Sequence, residues 1–178
     1  ILAGVNIIND VWGLRWDGKM ADVVAKYPEI PVIIMHNRKA EEGNRIVSYT
    51  DFIPDVLSDL RMSIKVGTEA GISKDRMIID PGIGFAKTQE QNIIIMKNVD
   101  ELEKLGMPIL LGISRKSMIG NALDLPKDER EEGTIATNVY GYIHGCKIFR
   151  VHDVKKNRRA LDMIWKIMVN GEKSKDAV

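Results

Sequence analysis

The chain has a single cysteine among its 178 residues. That excludes an intrachain disulfide framework and makes a reducing, cytoplasmic compartment the expectation. The thiol, Cys146, lies between a glycine and a lysine ahead of an apolar run, the setting of a buried structural thiol rather than a nucleophile. Charge of one sign is also missing. The 26 Lys and Arg residues nearly cancel the 25 Asp and Glu, so overall charge points to neither a nucleic-acid nor a membrane partner. No apolar run approaches the roughly 18 residues of a membrane span. The histidines, His36, His144 and His152, are far apart, and no His-Glu-x-x-His or cysteine pair accompanies them, so no metal cluster stands out. Gly82-x-Gly84 lacks the third glycine of a dinucleotide fingerprint.

What is present is a repeated alternation of short apolar runs and amphipathic stretches. Hydrophobic residues make up 44% of the chain, enough for a substantial core in one domain, here 1–171, followed by a polar tail, 172–178. Strands are expected at 5–11, 31–36, 77–80, 108–112 and 147–152, each an apolar run with polar residues at its carboxyl end. Helices are expected at 18–26, at 51–70 with Asp51 as cap and Gly71 as stop, from the capping box Thr88-Gln89-Glu90-Gln91 with a break before 99–105, at 129–144, and through Leu161, Ile164, Trp165 and Met168. Residues 37–47 are polar and without period, and read as a mobile loop over the same edge.

No hairpin signal joins consecutive strands, and crossovers of this length force parallel pairing. Two α/β folds accommodate that order, an open doubly wound sheet or a sector of a (β/α)8 TIM barrel. The barrel is preferred because all five strand ends supply polar groups, whereas an open sheet concentrates its site at one crossing point. A whole barrel needs eight strands. The chain opens on Ile1 and enters a strand almost at once, so the expectation is a partial barrel whose first three strands are missing.

The carboxyl-edge inventory is Asn9, Asp10, Met35, His36, Asp80, Lys116, Ser117, Arg150 and His152. Asp80 ends the most apolar strand and enters the turn Pro81-Gly82-Ile83-Gly84-Phe85. A carboxylate there accepts two N–H bonds from an amino-heterocycle, or caps its own turn. Lys116 donates to ring carbonyls and nitrogens. Arg150 offers a planar fork for phosphate oxygens with His152 beside it, both expected on one face of the last strand, or Arg150 pairs with Asp153 or a carboxylate of another strand and His152 is a satisfied structural imidazole. Ser114 and Ser117 at a helix start add to phosphate recognition. Met35 and Phe85 are either core filler or walls for a flat ring. A phosphate-bound Mg2+ asks for only one or two protein oxygens and is compatible with this set.

These residues, in the runs Asn9-Asp10-Val11, Met35-His36, Asp80-Pro81-Gly82-Ile83-Gly84-Phe85-Ala86-Lys87-Thr88, Ser114-Arg115-Lys116-Ser117-x-Ile119-Gly120 and Arg150-Val151-His152-Asp153-Val154, resemble the dihydropteroate synthase family of pterin-binding barrels over nearly the whole chain. The resemblance implies that Asn9, Asp80 and Lys116 contact a pterin, with Met35 against the ring. It implies that Phe85, Lys116 and Ser117 line the p-aminobenzoate region where sulfonamides also bind, and that Arg150 and His152 hold diphosphate. Asp80, Lys116, Arg150 and His152 would be the catalytic set, with Mg2+ as cofactor and a homodimer through the last helices. The implied reaction joins 6-hydroxymethyl-7,8-dihydropterin diphosphate to p-aminobenzoate. A pterin or methyltetrahydrofolate methyltransferase domain is the same-fold alternative, which dependence on a corrinoid partner would favour, and a non-catalytic pterin-binding module is the other. The family's first-strand asparagine and third-strand aspartate have no counterpart here, so the chain is expected to be poorly active alone. Glu131 stands where the family usually has leucine, tolerable on an exposed surface and costly on a packed one.

Overall fold

Five short parallel strands form the scaffold in a computed structural model that describes residues 1–40 and 47–170. They are β1 (Ile8–Asp10), β2 (Val32–Met35), β3 (Met77–Asp80), β4 (Ile109–Leu111) and β5 (Cys146–Phe149), and they pair in the order β1-β2-β3-β4-β5. That order decides between the two candidate folds. A doubly wound sheet reverses its strand order at a crossing point, whereas barrel strands simply follow one another. The observed sheet never reverses, so it is a sector of a (β/α)8 barrel.

Between the strands run α1 (Met20–Ala25), α2 (Phe52–Glu69), α3 (Gln89–Lys97), α4 (Ser117–Leu123) and α5 (Glu131–Ile143), and α6 (Val154–Asn170) follows β5. Side-chain alternation along the strands separates two cores. Val32, Ile34, Met77, Ile79, Ile109 and Leu111 pack with Val56, Leu57, Leu60 and Ile64 of α2 and Ile95 of α3 in one large cluster. Ile33, Ile78 and Leu110, with Ile148 against them, form a second cluster made of strand residues alone. Helices therefore cover the outer face, and the inner face carries a thin apolar layer below the polar strand ends. Each fully buried Leu or Ile contributes about 1.5–3 kcal/mol relative to exposure, so the outer cluster supplies most of the driving force.

Local signals explain most boundaries. Thr88 and Gln91 make both arms of the capping box, at 3.2 and 2.9 Å, and residues Val99–Leu105 form a 3-10 segment beyond the expected break. Gly71 stops α2 at φ +93. Asp51 flanks α2 without a side-chain cap bond. The carboxylate of Asp55 accepts the amide of Thr50 instead, at 2.9 Å.

The strands are shorter than the apolar runs that announce them. The expected strand at 5–11 narrows to Ile8–Asp10, the residues that pair with Val32, Ile33 and Ile34 of β2. The expected strand at 147–152 becomes Cys146–Phe149, with a register shift between Ile109 and Leu110 on its partner. Arg150 and His152 thus lie just beyond the strand, although the Arg150 amide still bonds Leu111 O at 3.1 Å. The helix expected at 129–144 begins at Glu131, since Lys127–Glu129 form a separate 3-10 turn.

Cys146 is buried, and burial pushes its thiol up to about 12, as suits a structural residue. No described helix is long and apolar enough to cross a membrane. Most of the expected loop at 37–47 and the tail at 172–178 lie outside the described residues.

Candidate functional site

Asp80 is 1% exposed at the carboxyl end of β3, on the inner face. Its Oδ1 accepts the Gly82 amide at 2.7 Å. Its Oδ2, equally enclosed, finds no partner among the described residues. Burial raises this carboxyl above its usual range, against the Gly82 amide and the positive charges of Lys116, Arg150 and Lys87. A buried acceptor without a donor costs about 1–3 kcal/mol, so it is a position reserved for something else. Capping of its own turn therefore accounts for one oxygen only. Gly82, at φ +67, is packed so closely on the His36 carbonyl that a Cβ would overlap it.

Lys116 approaches from the residue before α4, partly buried. Its Nζ donates to the Ile83 carbonyl and sits 4.8 Å from the centroid of the Phe85 ring. A Cβ on Gly84 would stand 3.4 Å from the Lys116 stem, so the second glycine leaves the amine its approach. Burial lowers the amine to about 8, opposed by Asp80. Phe85 and Lys116 thus form one wall beside Asp80.

Arg150, just beyond β5, adds its positive charge to the surroundings of the same carboxylate. Its guanidinium occupies the space over Gly112, where an added Cβ would meet it at 2.7 Å. Asp153 pairs with Lys156 at 3.2 Å, so it is not the counterion that sequence alone allowed for Arg150. His152 has its Nδ1 2.8 Å from Ser114 Oγ, in the segment that follows β4.

Three more residues of the sequence inventory are Met35, Asn9 and Ser117. Met35 is fully buried and pairs in register with Asp80. Asn9 lies exposed on the inner face of β1, next to Ile33 of β2, and Ser117 is exposed as the first residue of α4. Asp10 is committed elsewhere, accepting the amides of Trp12 and Leu14 at 3.1 and 2.6 Å.

Sequence reasoning missed the support beneath this edge. His36, buried at the end of β2, contacts Asp59 of α2 through Nε2 at 3.0 Å and Lys87 through Nδ1 at 2.8 Å. Lys87 follows the glycine turn within the quoted motif, and only the wrapping of β2 against β3 brings it under His36. Asp55 and Asp59 lie four apart on α2, a spacing that looks like a solvated face. Glu131 was also underrated. It is 6% exposed, yet Asn157 Nδ2 donates to it at 2.8 Å and Arg115 Nε at 3.3 Å, so the polar group is paired on a packed surface.

Among the described residues no three His, Cys, Asp or Glu side chains could together hold a metal ion. What the edge presents is a carboxylate with an open acceptor, ringed by Lys87, Lys116 and Arg150. Such an edge can accept N–H groups from a flat heterocycle and hold an anion beside it.

Residues 1–152 match the model of the pterin binding enzymes. The chain is 49% identical over 164 residues to the dihydropteroate synthase of Clostridium beijerinckii, covering 92% of this chain and 58% of that protein. It is 46% identical over 171 residues to the dihydropteroate synthase of Bacillus subtilis, covering 96% and 58%. The Clostridium difficile dihydropteroate synthase crystallised in the presence of pteroic acid superimposes with a TM-score of 0.86 at 44% identity, covering 92% of this chain and 60% of that one. The Yersinia pestis dihydropteroate synthase in a sulfonamide drug complex gives 0.87 at 32% identity, covering 95% and 61%. The chain spans 58% of the length of the first two of these relatives. The matched residues include every strand of the sheet and the whole carboxyl edge, and this chain belongs to the pterin binding enzyme family.

Proposed function

We propose that the protein carrying this chain is a dihydropteroate synthase, which joins p-aminobenzoate to 6-hydroxymethyl-7,8-dihydropterin diphosphate and releases diphosphate and 7,8-dihydropteroate. The observation that carries this reading is the open Oδ2 of Asp80, a buried acceptor set among cations. Asp80 would take N–H donors of the pterin, Lys116 would donate to its carbonyl and ring nitrogen, and Asn9 and Met35 would complete the pterin contacts. Phe85, Lys116 and Ser117 would line the p-aminobenzoate side, while Arg150 and His152 hold the diphosphate.

In the proposed step, the bond between the pterin methylene carbon and the diphosphate oxygen breaks, and diphosphate leaves with the electron pair. The neutral aryl amine forms the new C–N bond and gives up a proton. Asp80 offsets positive charge developing on the pterin, and Arg150 and His152 stabilise charge growing on diphosphate, an electrostatic role aimed at the transition state. No enzyme nucleophile is needed. Mg2+, where bound, would supply only countercharge beside the diphosphate held by Arg150 and His152, and no step above depends on it.

The exposed apolar residues of α6, Met163, Trp165, Ile167 and Met168, support the proposal of a homodimer through the C-terminal helices. A cytoplasmic location is proposed from the lone, buried cysteine. Taken alone, the 178-residue chain is proposed to be poorly active, because among the described residues β1 and β5 each have a single strand neighbour.

The test is a steady-state assay of the natural protein that follows both dihydropteroate and diphosphate. Stoichiometric formation of the two supports the reading. Pterin binding without diphosphate release, or a requirement for a corrinoid partner, would overturn it.

A further inference from the structure

We propose that Asp59, His36 and Lys87 form a positioning relay that fixes the glycine turn after β3, and through it the orientation of Asp80 and Phe85 toward a bound pterin. The inference rests on the proposed pterin site and adds residues that none of the family motifs assigns a part in it.

The relay begins in the outer helical layer. Asp59 Oδ2 accepts from Arg38 Nε at 2.5 Å and faces His36 Nε2 at 3.0 Å, while Arg15 NH1 lies 3.5 Å from Oδ1. Burial holds the imidazole neutral, pushed down to about 4. A neutral ring carries one N–H. Facing a carboxylate at Nε2, that hydrogen belongs on Nε2, which leaves Nδ1 as an acceptor aimed at Lys87 Nζ, 2.8 Å away.

Lys87 spends its other two N–H groups on the Gly82 carbonyl at 3.1 Å and the Phe85 carbonyl at 3.0 Å. Three acceptors use all three hydrogens of an ammonium, whereas a neutral amine has only two to give. The charged form thus ties both ends of the turn to β2. Asn92 Oδ1 accepts the Gly84 amide at 2.7 Å, and Tyr49 OH donates to Ala86 O at 2.8 Å. These bonds hold the turn to its own helix and to a loop. Lys87 is the link from the turn to the neighbouring strand.

An ionisable chain in this position is an expensive way to hold a turn if folding is its whole purpose, because a buried ion pair is weak support for stability. It does tie the ligand edge to a proton equilibrium. The groups facing the Lys87 amine are His36 on β2, Arg38 after β2, Asp59 on α2, Asp80 on β3 and Lys116 ahead of α4. Burial lowers the amine to about 7, with Asp80 and Asp59 opposing the fall and Lys116 and Arg38 adding to it. Loss of its proton removes one of the three ties.

The two amide replacements of His36 separate the halves of the relay. In His36→Asn the amide oxygen takes the place of Nδ1 and keeps an acceptor for Lys87. In His36→Gln the amide nitrogen takes the place of Nε2 and keeps only the donor to Asp59. In the natural full-length protein, with folding checked by circular dichroism and Tm, calorimetry would measure binding of 6-hydroxymethyl-7,8-dihydropterin diphosphate from pH 6 to 9. NMR of the ligand-free protein would follow titration of the Lys87 amine. We expect His36→Gln to weaken binding about 10-fold, the worth of one bond to a charged group, and His36→Asn to stay within about 3-fold. The Lys87 titration should fall in the Gln variant and hold in the Asn variant.

Equal weakening by both variants, or wild-type affinity with an unchanged Lys87 titration in His36→Gln, would overturn the relay. Should His36→Gln fail to fold, Asp59→Ala carries the test. It is expected to weaken binding about 5-fold with recovery in Asp59→Glu, and wild-type affinity in Asp59→Ala overturns the proposal. If the wild-type protein binds no pterin diphosphate, the proposed function falls, and the ligand-free Lys87 titrations decide the relay without it.

Discussion

Asp80 gives one carboxylate oxygen to the amide of Gly82 at 2.7 Å and keeps the other buried and unmatched among the described residues. Ligand-free, that arrangement carries a cost at neutral pH. Burial raises the Asp80 pKa above the ordinary 3.8, so its contribution to stability is full below that value and is lost as pH rises through the folded one. Asp80→Asn is therefore expected to raise Tm at pH 7 by a few degrees while removing pterin binding. Thermal unfolding with and without a pterin ligand checks both halves, and a less stable ligand-free variant would contradict the assignment.

His36 sets an acid limit. Its folded pKa lies near 4 against an ordinary 6.5. A depressed value in a base means that stability is full above 6.5 and is lost as pH falls toward 4. The whole span is worth at most about 3 kcal/mol. Asp59 is held down to about 2 by His36 and Arg38 against its own desolvation, so its contribution outlasts that window. Urea unfolding at pH 7 and 4.5 should show the loss in the wild type and a flatter profile in His36→Asn. An unchanged slope in the variant would assign the acid limit to other groups.

Arg150 and Lys116 are proposed to divide the ligand between them. Arg150→Ala should raise KM for the pterin diphosphate about 10- to 100-fold, the worth of a bond to a charged group, and leave the affinity for 6-hydroxymethyl-7,8-dihydropterin lacking diphosphate nearly unchanged. Lys116→Ala should weaken both by about 10-fold or more. Calorimetry with the two ligands separates the roles, and equal losses in Arg150→Ala would assign it to the ring instead.

Glu131 and Asn157 should behave as a unit. Glu131→Leu leaves the buried Asn157 amide one acceptor short, with only the Asp153 carbonyl at 2.9 Å remaining to it, and is expected to cost about 1–3 kcal/mol. Asn157→Leu should cost a similar amount, and the double substitution less than the sum. A double-mutant cycle by urea unfolding measures the coupling. Additive losses would show the two side chains acting separately.

The barrel sector was legible because each strand is an apolar run tipped by a polar residue, a pattern set by burial on both faces. The sequential strand order followed only from that barrel reading, since nothing local in 31–36 or 77–80 encodes which edges pair. Asp80, Lys116 and Arg150 were found because a charge at the end of an apolar strand has no packing reason to be there. Asp59 escaped because an acidic residue on a helix is ordinarily solvated, and Lys87 because its partner lies 51 residues away. The exact ends of β5 escaped for a similar reason. The pairing of β5 with β4 carries a register shift that is invisible in either run alone, and Arg150 and His152 lie past the end of β5.

The absence of a side chain at position 112 sets how Arg150 stands. One added carbon there would meet NH2 at 2.7 Å and the central guanidinium carbon at 3.4 Å, so even alanine would push the fork aside without removing any charge. Surveys of natural variants should consequently treat this glycine as a hidden lever on the placement of the guanidinium, one that leaves every charged residue of the edge in place.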